Sequence, residues 1–142
     1  MQLSSYGYSF IQAQEGFTPA VKGDTGGKQE IGYGHDLLPG ESFPNGISIL
    51  QAIALLHQDV AKIETPVTIS VPQYCTQNQF DALIDFTYEC GLGALHQLLA
   101  HGWSQVTVQL PRWVHANVGG VETVLEGMVA RRAAEIQLFN SP

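Results

Sequence analysis

The chain of 142 residues is 44% hydrophobic and 13% charged, a composition typical of one globular domain that buries a core. Thirteen acidic residues against six basic ones give a formal net charge of −7, so we expect neither a nucleic-acid partner nor attraction to an anionic membrane. The N-terminal region shows no signal-peptide pattern, and the most apolar stretch, residues 47–56, is too short to span a bilayer.

The first predicted element is a helix that ends near Glu15. Aromatic and small residues recur at helical spacing from Tyr6 to Phe17, and Gly16 supplies the left-handed conformation that often ends a helix. Glu15 would then lie at the C-terminal end of the helix. The macrodipole disfavours a negative charge there and favours the protonated carboxyl group.

A glycine-rich stretch follows, with the sequence GDTGGKQEIGYGH in residues 23–35. Its alternation of glycines with short extended pieces predicts a small β-hairpin or meander. Asp24 and Glu30 lie in this stretch, and Asp24 follows Glu15 by nine residues. Cleaving a glycosidic bond requires one carboxylic acid to protonate the leaving oxygen and a second carboxylate to activate water or attack the sugar. Spacing alone also fits a polar hairpin on the surface.

Most of the remaining chain is predicted to be helical. Ser48 with Gln51 and Thr76 with Gln79 form two capping boxes, the sequence signature of a helix N-terminus. Further apolar periodicity predicts helices from Leu92 onward.

The fold class expected from these elements is α+β, a two-lobed architecture with a cleft between the lobes. One lobe would be a small N-terminal β-hairpin or sheet, and the other would be larger and helical. In this interpretation β structure is confined to residues 18–36, a helix covers 105–114, and no strand lies within 76–139.

The two cysteines, Cys75 and Cys90, would flank one helix of about fifteen residues, whose ends lie roughly 22 Å apart. A disulfide needs Cα atoms within about 7 Å, so we expect two free thiols. The chain lacks a complete phosphate-loop motif, a nucleophile elbow and histidines at metal-ligand spacing. We therefore expect neither a cofactor nor a metal.

Several stretches taken together resemble the phage-type lysozymes, glycoside hydrolase family 24. The similarity runs in family order over nearly the whole chain, through Glu15-Gly16-Phe17, Asp24, IGYGH (31–35), TQNQFDALIDFTYECGLGAL (76–95), RWVHA (112–116) and GMVARRAAEIQLF (127–139). This resemblance implies a two-lobed muramidase fold. It also implies cleavage of the β-1,4 bond between N-acetylmuramic acid and N-acetylglucosamine in peptidoglycan.

The resemblance assigns Glu15 as the general acid and Asp24 as the second carboxylate. The third catalytic position of the family is normally threonine, but Glu30 occupies it here, and Lys22 stands where an aromatic residue is usual. A carboxylate is a far stronger base than a neutral hydroxyl. Three interpretations stay open: Glu30 orders or deprotonates the water, Glu30 attacks the sugar directly, or the enzyme is weakened or inactive.

Candidate substrate-binding residues are Tyr33, His35 and Trp113. Tyr33 and His35 either support the cleft or contact the ligand. Trp113, like Trp103, either stacks on a pyranose ring or packs in the core. The arginine pair 131–132 either holds a carboxylate near the cleft or forms a surface pair.

The sequence therefore predicts a single lysozyme-like catalytic domain over residues 1–142, a monomer that acts without cofactor on peptidoglycan glycan strands. An endolysin of a phage or prophage, or a bacterial muramidase of that type, would reside in the cytoplasm before release and act at the cell wall or periplasm. The alternative is a lysozyme-fold protein that binds the wall or serves a structural role after losing turnover.

Overall fold

The computed structural model describes residues 1–23 and 27–142. The chain forms two compact units, one of residues Tyr8–Lys62 and one that combines Met1–Gly7 with Ile63–Pro142. We call them the sheet unit and the helical unit. As predicted, helices are combined with small antiparallel sheets.

The sheet unit contains most of helix α1, a three-stranded antiparallel sheet and the first part of helix α2. In the described residues the strand order is β1-β2-β3. The element bounds are α1 Ser5–Glu15, β1 Thr18–Gly23, β2 Gln29–Gly32, β3 His35–Asp36 and α2 Ile49–Ser70.

The core of the sheet unit forms where one face of the sheet meets helix α2. Ile31 of β2 is fully buried, as are Ala52 and Val60 of α2. Gly32, with φ of 69°, lies so close to α2 that an added methyl group would be 3.1 Å from Cβ of Ala52. The glycine therefore permits both the turn and close packing of the strand on the helix.

The helical unit contains the remaining helices and a second, two-stranded sheet. The element bounds are α3 Gln77–Cys90, α4 Leu92–Leu99, α5 Val106–Gln109, β4 His115–Val118, β5 Val121–Val124 and α6 Glu126–Phe139. Helix α3 packs against both α4 and α6. Its buried face carries Phe80, Leu83, Ile84 and Phe86.

Both predicted capping boxes are confirmed. The amide of Ser48 donates to Oε1 of Gln51 at 2.8 Å, and the amide of Gln51 donates to Oγ of Ser48 at 3.2 Å. Thr76 and Gln79 make the same reciprocal pair at the start of α3. Each box satisfies two amide groups that the first turn of a helix would otherwise leave without a partner.

Helix α2 has 22 residues and carries Pro66 in its interior. Proline lacks the N–H group needed for the helical hydrogen bond at its own position. Nearby hydroxyls bond backwards to the helix, since Thr68 donates to the carbonyl of Glu64 at 2.7 Å and Ser70 donates to that of Pro66 at 2.8 Å. No helix in the described residues is long and apolar enough to cross a membrane.

The prediction that no strand lies within 76–139 is wrong. Strands β4 and β5 form an antiparallel hairpin in which Val118 pairs with Val121. The turn residues Gly119 and Gly120 both have positive φ, 58° and 85°. A Gly-Gly pair between alternating apolar residues is a recognised signal for such a turn, so the sequence did carry this information.

The predicted helix over 105–114 is also wrong in extent. Only Val106–Gln109 is α-helical, between 3₁₀ turns at Trp103–Gln105 and Leu110–Arg112. Pro111 lies in the second turn. Because proline cannot donate a backbone hydrogen bond, it favours a break in the helix at this point.

The prediction of free thiols is confirmed, because Cys75 and Cys90 are both unpaired in the described structure. They lie before and at the end of helix α3. Burial raises the pKa of the Cys75 thiol to about 11, and the charge of Asp81 acts in the same direction. Cys75 is therefore a neutral core thiol at physiological pH.

Candidate active site

Glu15 is the last residue of α1, as predicted. Gly16, with φ of 71°, turns the chain out of the helix, and its amide donates to the carbonyl of Gln12 at 3.0 Å. The ring of the following Phe17 packs against Tyr33, with centroids 5.7 Å apart. Glu15 is half-buried, which combines contact with the protein and access from outside.

Gly34 packs directly against the Glu15 carboxyl group. A methyl group added to Gly34 would lie 2.8 Å from Oε2 and 2.9 Å from Cδ of Glu15. Both distances are shorter than side chains tolerate, so the absence of a side chain at Gly34 makes room for the carboxyl group. The structure thus brings Gly34 directly against the candidate acid.

Glu30 lies in the middle of the sheet, on strand β2. Its cross-strand partners are Lys22 on β1 and Asp36 on β3. Oε1 of Glu30 is 4.0 Å from Nζ of Lys22, and the Glu30 side chain is 42% exposed. Asp24, the other predicted carboxylate, lies outside the described residues.

His35 is predicted to support the cleft or contact a ligand, and its surroundings favour support. Nδ1 lies 2.5 Å from Oδ2 of Asp59, and Nε2 lies 2.8 Å from Oε2 of Glu41. The side chain is 4% exposed. Since both ring nitrogens are engaged and the ring is buried, His35 is poorly placed to bind a sugar.

The charge state of His35 follows from these two carboxylates. Burial alone lowers the pKa of His35, but the hydrogen bonds and charges of Asp59 and Glu41 outweigh it and raise the pKa above its usual value. The amide of Leu38 and the imidazole of His35 in turn lower the pKa of Glu41. His35 therefore links β3, the following loop and α2, and its two carboxylate partners favour the charged imidazole.

The arginine pair lies in the helical unit and is buried, so the surface-pair interpretation is wrong. Arg131 makes a bidentate contact with Asp85, from Nε to Oδ2 at 2.9 Å and from Nη2 to Oδ1 at 2.8 Å. Arg132 donates to Glu135 at 2.8 Å and also to Glu89. The two arginines thus hold carboxylates inside the helical unit. Their position near a substrate cleft stays a prediction.

Glu135 has an unusual protonation state within this cluster. It is fully buried. Burial first, and then the hydrogen bond and charge of Asp85, raise the pKa of Glu135 to about 10, against the opposing effect of Arg132 and Arg131. Glu135 is therefore protonated at neutral pH, which limits the negative charge enclosed with the two arginines.

Trp113 borders a cavity in the helical unit, about 580 Å³ in volume. Its ring meets Phe86 edge-on at 5.5 Å. Polar side chains surround the opening, including His115 and Glu122 from the β4–β5 hairpin. The unpredicted hairpin is therefore one wall of the cavity. Trp103, in contrast, packs on Phe139 at 5.3 Å.

A metal site is not evident in the parts of the chain that the structure describes. No group of three or more histidine, cysteine, aspartate or glutamate side chains there has a geometry that could hold a metal ion. The carboxylates around His35 are engaged with its imidazole instead.

Comparison with known proteins identifies the family. The family model described as phage lysozyme matches residues 12–135. The chain belongs to the phage lysozyme family. Membership makes the protein a glycosidase that hydrolyses peptidoglycan, and the matched range includes Glu15, Glu30 and Trp113.

Individual relatives agree with this assignment. An endolysin of Acyrthosiphon pisum secondary endosymbiont phage 1 is 29% identical over 99% of both chains. An endolysin of Bacillus phage PZA is 38% identical over 99% of this chain, which spans 56% of that relative. Among solved structures, the muramidase domain of SpmX from Asticaccaulis excentricus superimposes with a TM-score of 0.86 at 30% identity, covering 99% of both chains. An endolysin from Escherichia coli O157:H7 phage FAHEc1 gives 0.85 at 28% identity, over 99% of this chain and 94% of the other.

Proposed function

We propose that this phage lysozyme family member cleaves the β-1,4 bond between N-acetylmuramic acid and N-acetylglucosamine, with Glu15 as the general acid. The observation that carries the proposal is the position of Glu15. It is half-buried at the end of α1, with its carboxyl group packed against the side-chain-free Gly34. A general acid must be held in one geometry and remain accessible to the leaving oxygen.

Glu15 also has a physical reason to carry a proton. The C-terminal end of a helix disfavours a negative charge. Partial burial acts in the same direction, because it removes water that would solvate the carboxylate. A protonated Glu15 donates to the glycosidic oxygen as the bond to the anomeric carbon breaks.

Asp24 and Glu30 supply the second half of the reaction in this proposal. Asp24 stabilises positive charge that develops on the sugar. Glu30 either deprotonates the attacking water, which inverts the anomeric configuration, or attacks the anomeric carbon, which retains it. The half-exposed position of Glu30 on β2 suits either role, because the carboxylate is reachable by water and by substrate.

Tyr33 and Trp113 are the proposed substrate contacts. Tyr33 belongs to the same β2–β3 turn as Gly34, and Trp113 borders the cavity of the helical unit. Flat aromatic faces suit pyranose rings, and the polar groups around the cavity suit the amides of peptidoglycan. His35 is assigned a supporting role, through its ion pairs with Asp59 and Glu41.

We further propose that residues 1–142 act as a single catalytic domain and a monomer, without nucleic-acid or membrane partners. The enzyme would be held in the cytoplasm until release and would then act at the cell wall. Its net charge of −7 offers no attraction to an anionic wall, so affinity must come from contacts with the glycan strand.

The test uses purified peptidoglycan sacculi and the wild-type, Glu15→Gln and Glu30→Gln proteins. Wild type should release muropeptides with reducing N-acetylmuramic acid ends, and Glu15→Gln should lose about 10²–10⁴-fold in rate while remaining folded. Proton NMR of the first anomer formed separates the two roles of Glu30. Wild-type protein that sediments with sacculi but releases no fragments would favour the wall-binding alternative. Full activity in Glu15→Gln would refute its assignment.

A further inference from the structure

Lys22 and Glu30, the two residues at which the sequence departs from the usual family pattern, face each other across the sheet. Lys22 and Glu30 are directly opposite in the antiparallel register of β1 and β2. Directly opposite residues project from the same face of a sheet, with Cβ atoms about 5 Å apart. The ammonium group lies 4.0 Å from the Glu30 carboxylate. We propose that Lys22 is a positioning residue, which orients the Glu30 carboxylate for its part in the reaction.

This inference rests on the proposed function of Glu30. The second cross-strand neighbour of Glu30 explains why a cation is needed. Asp36 is opposite Glu30 on β3, and like charges directly opposite each other are unfavourable. Lys22 approaches from the other strand and offsets this repulsion. It also favours a Glu30 orientation toward β1, away from Asp36.

A second lysine, Lys28, directly precedes strand β2 and has a different partner. Lys28 forms its ion pair with Asp36, with Nζ to Oδ2 at 2.9 Å. Its side chain is 70% exposed, against 68% for Lys22. The two lysines therefore carry the same charge at nearly the same exposure. Among the described residues, Lys22 is the lysine that lies opposite Glu30 in the strand register.

The Lys22–Glu30 pair borders a recess of about 200 Å³, which Gly23 and Lys28 also line. A recess of this size holds several water molecules, since each occupies about 30 Å³ in the liquid. The carboxylate thus meets solvent within a concave, charged surface. In this position Glu30 can hold an attacking water if it acts as a base, and it can be reached by the sugar if it acts as a nucleophile.

The expected effect is modest, because exposed ion pairs contribute little energy. Lys22→Met should lower kcat about two- to fivefold on soluble glycan strands and leave KM unchanged. Lys22→Arg should restore most of the loss. Lys62→Met removes another exposed lysine, which pairs with Asp59 on α2 at 2.8 Å and does not line the recess, so it should leave kcat within error of wild type. High salt should narrow the difference in kcat between wild type and Lys22→Met, because screening weakens the ion pair that wild type has and the variant lacks.

A double variant separates the positioning role from a merely structural one. If Lys22 acts through Glu30, Lys22→Met should cost nothing further in a Glu30→Gln background. Equal kcat values for Lys22→Met and Lys62→Met, with Glu30→Gln impaired, would overturn the inference and leave the role of Glu30 standing. Full activity in Glu30→Gln would overturn both the catalytic role of Glu30 and the positioning role of Lys22.

Discussion

Two ion pairs of nearly equal length have very different surroundings in this protein. Lys28 and Asp36 on the small sheet are 2.9 Å apart, with side chains 70% and 54% exposed. Arg131 and Asp85 in the helical unit are 2.8 Å apart, with side chains 7% and 0% exposed. Length alone therefore says little about the role of a charge. Burial decides whether the charge is fixed in the architecture or accessible for chemistry.

The physical reason is the cost of removing charges from water. A buried charge must have close partners, because an uncompensated ion in the interior is expensive. Arg131 and Arg132 satisfy this need with three carboxylic side chains, one of them protonated. The sheet carries its charges in solvent, where pairing is weak and reversible. This difference is consistent with our assignment of Glu30, rather than the arginine cluster, to the reaction.

The largest effect should come from breaking the buried pair. Arg131→Met removes the guanidinium and leaves the fully buried Asp85 without its bidentate partner, which should cost about 3–5 kcal/mol in the free energy of unfolding. Urea denaturation at pH 7 measures it. The matched control is Lys28→Met, which should change stability by less than about 1 kcal/mol. Similar losses in the two variants would show that burial does not govern the comparison.

The next effect concerns the contact between Gly34 and Glu15. Gly34→Ala should displace the Glu15 carboxyl group and lower kcat about 10–100-fold, since small errors in catalytic geometry are costly. Gly40→Ala is the matched control. Gly40 also has positive φ, 86°, but an added methyl group there meets no atom within 4 Å.

Both glycine variants should lose about 1–2 kcal/mol of stability from backbone strain alone. Rates on peptidoglycan, measured at a temperature where both proteins are folded, therefore isolate the contact with Glu15. If Gly40→Ala loses as much activity as Gly34→Ala, general strain would account for the result and the contact would not.

The ion pairs of the buried His35 should make the stability of the protein depend on pH. Because the native pKa of His35 is raised, its contribution to stability is complete below the unfolded value of about 6.5 and is lost as pH rises through the native pKa. The lowered pKa of Glu41 has the opposite pH dependence. The contribution of Glu41 to stability is present above about pH 4.5 and is lost as pH falls through its native pKa.

His35→Gln should therefore be less stable than wild type by about 1–2 kcal/mol between pH 4.5 and 6.5. This difference in stability should become smaller at higher pH. Thermal unfolding across pH 4 to 9 measures it, with the exposed His96→Gln as control. A gap that stays constant with pH would mean that His35 contributes through packing and not through its charge.

The smallest effect is expected for Glu135→Gln at low pH. The amide resembles the protonated carboxyl group that the native state holds, so stability at pH 5 should stay within about 1 kcal/mol of wild type. Above about pH 4.5 the unfolded wild-type chain releases a proton that the native chain retains, which lowers wild-type stability as pH rises. Relative to wild type, the free energy of unfolding of Glu135→Gln should therefore increase from pH 5 to pH 8, as measured by urea denaturation. A difference independent of pH would contradict the protonated state.

Local chemistry determined much of the fold from the sequence alone. Ser48 with Gln51, Thr76 with Gln79 and the helix stop at Gly16 each act within a few residues, so their patterns could be interpreted directly. The β4–β5 hairpin is local as well, since the Gly119-Gly120 pair forms its turn. The resemblance to the family motifs indicated the candidate roles of Glu15, Asp24 and Glu30.

Only the tertiary structure decided which residues from separate elements are in contact. Arg131 meets Asp85 across 46 residues of chain, His35 meets Asp59 across 24, and Gly34 meets Glu15 from a different element. None of these pairs shares a local spacing, because each depends on how separate helices and strands pack. Periodicity specifies which face of an element is apolar, whereas the partner of a buried charge is specified by the fold that closes around it.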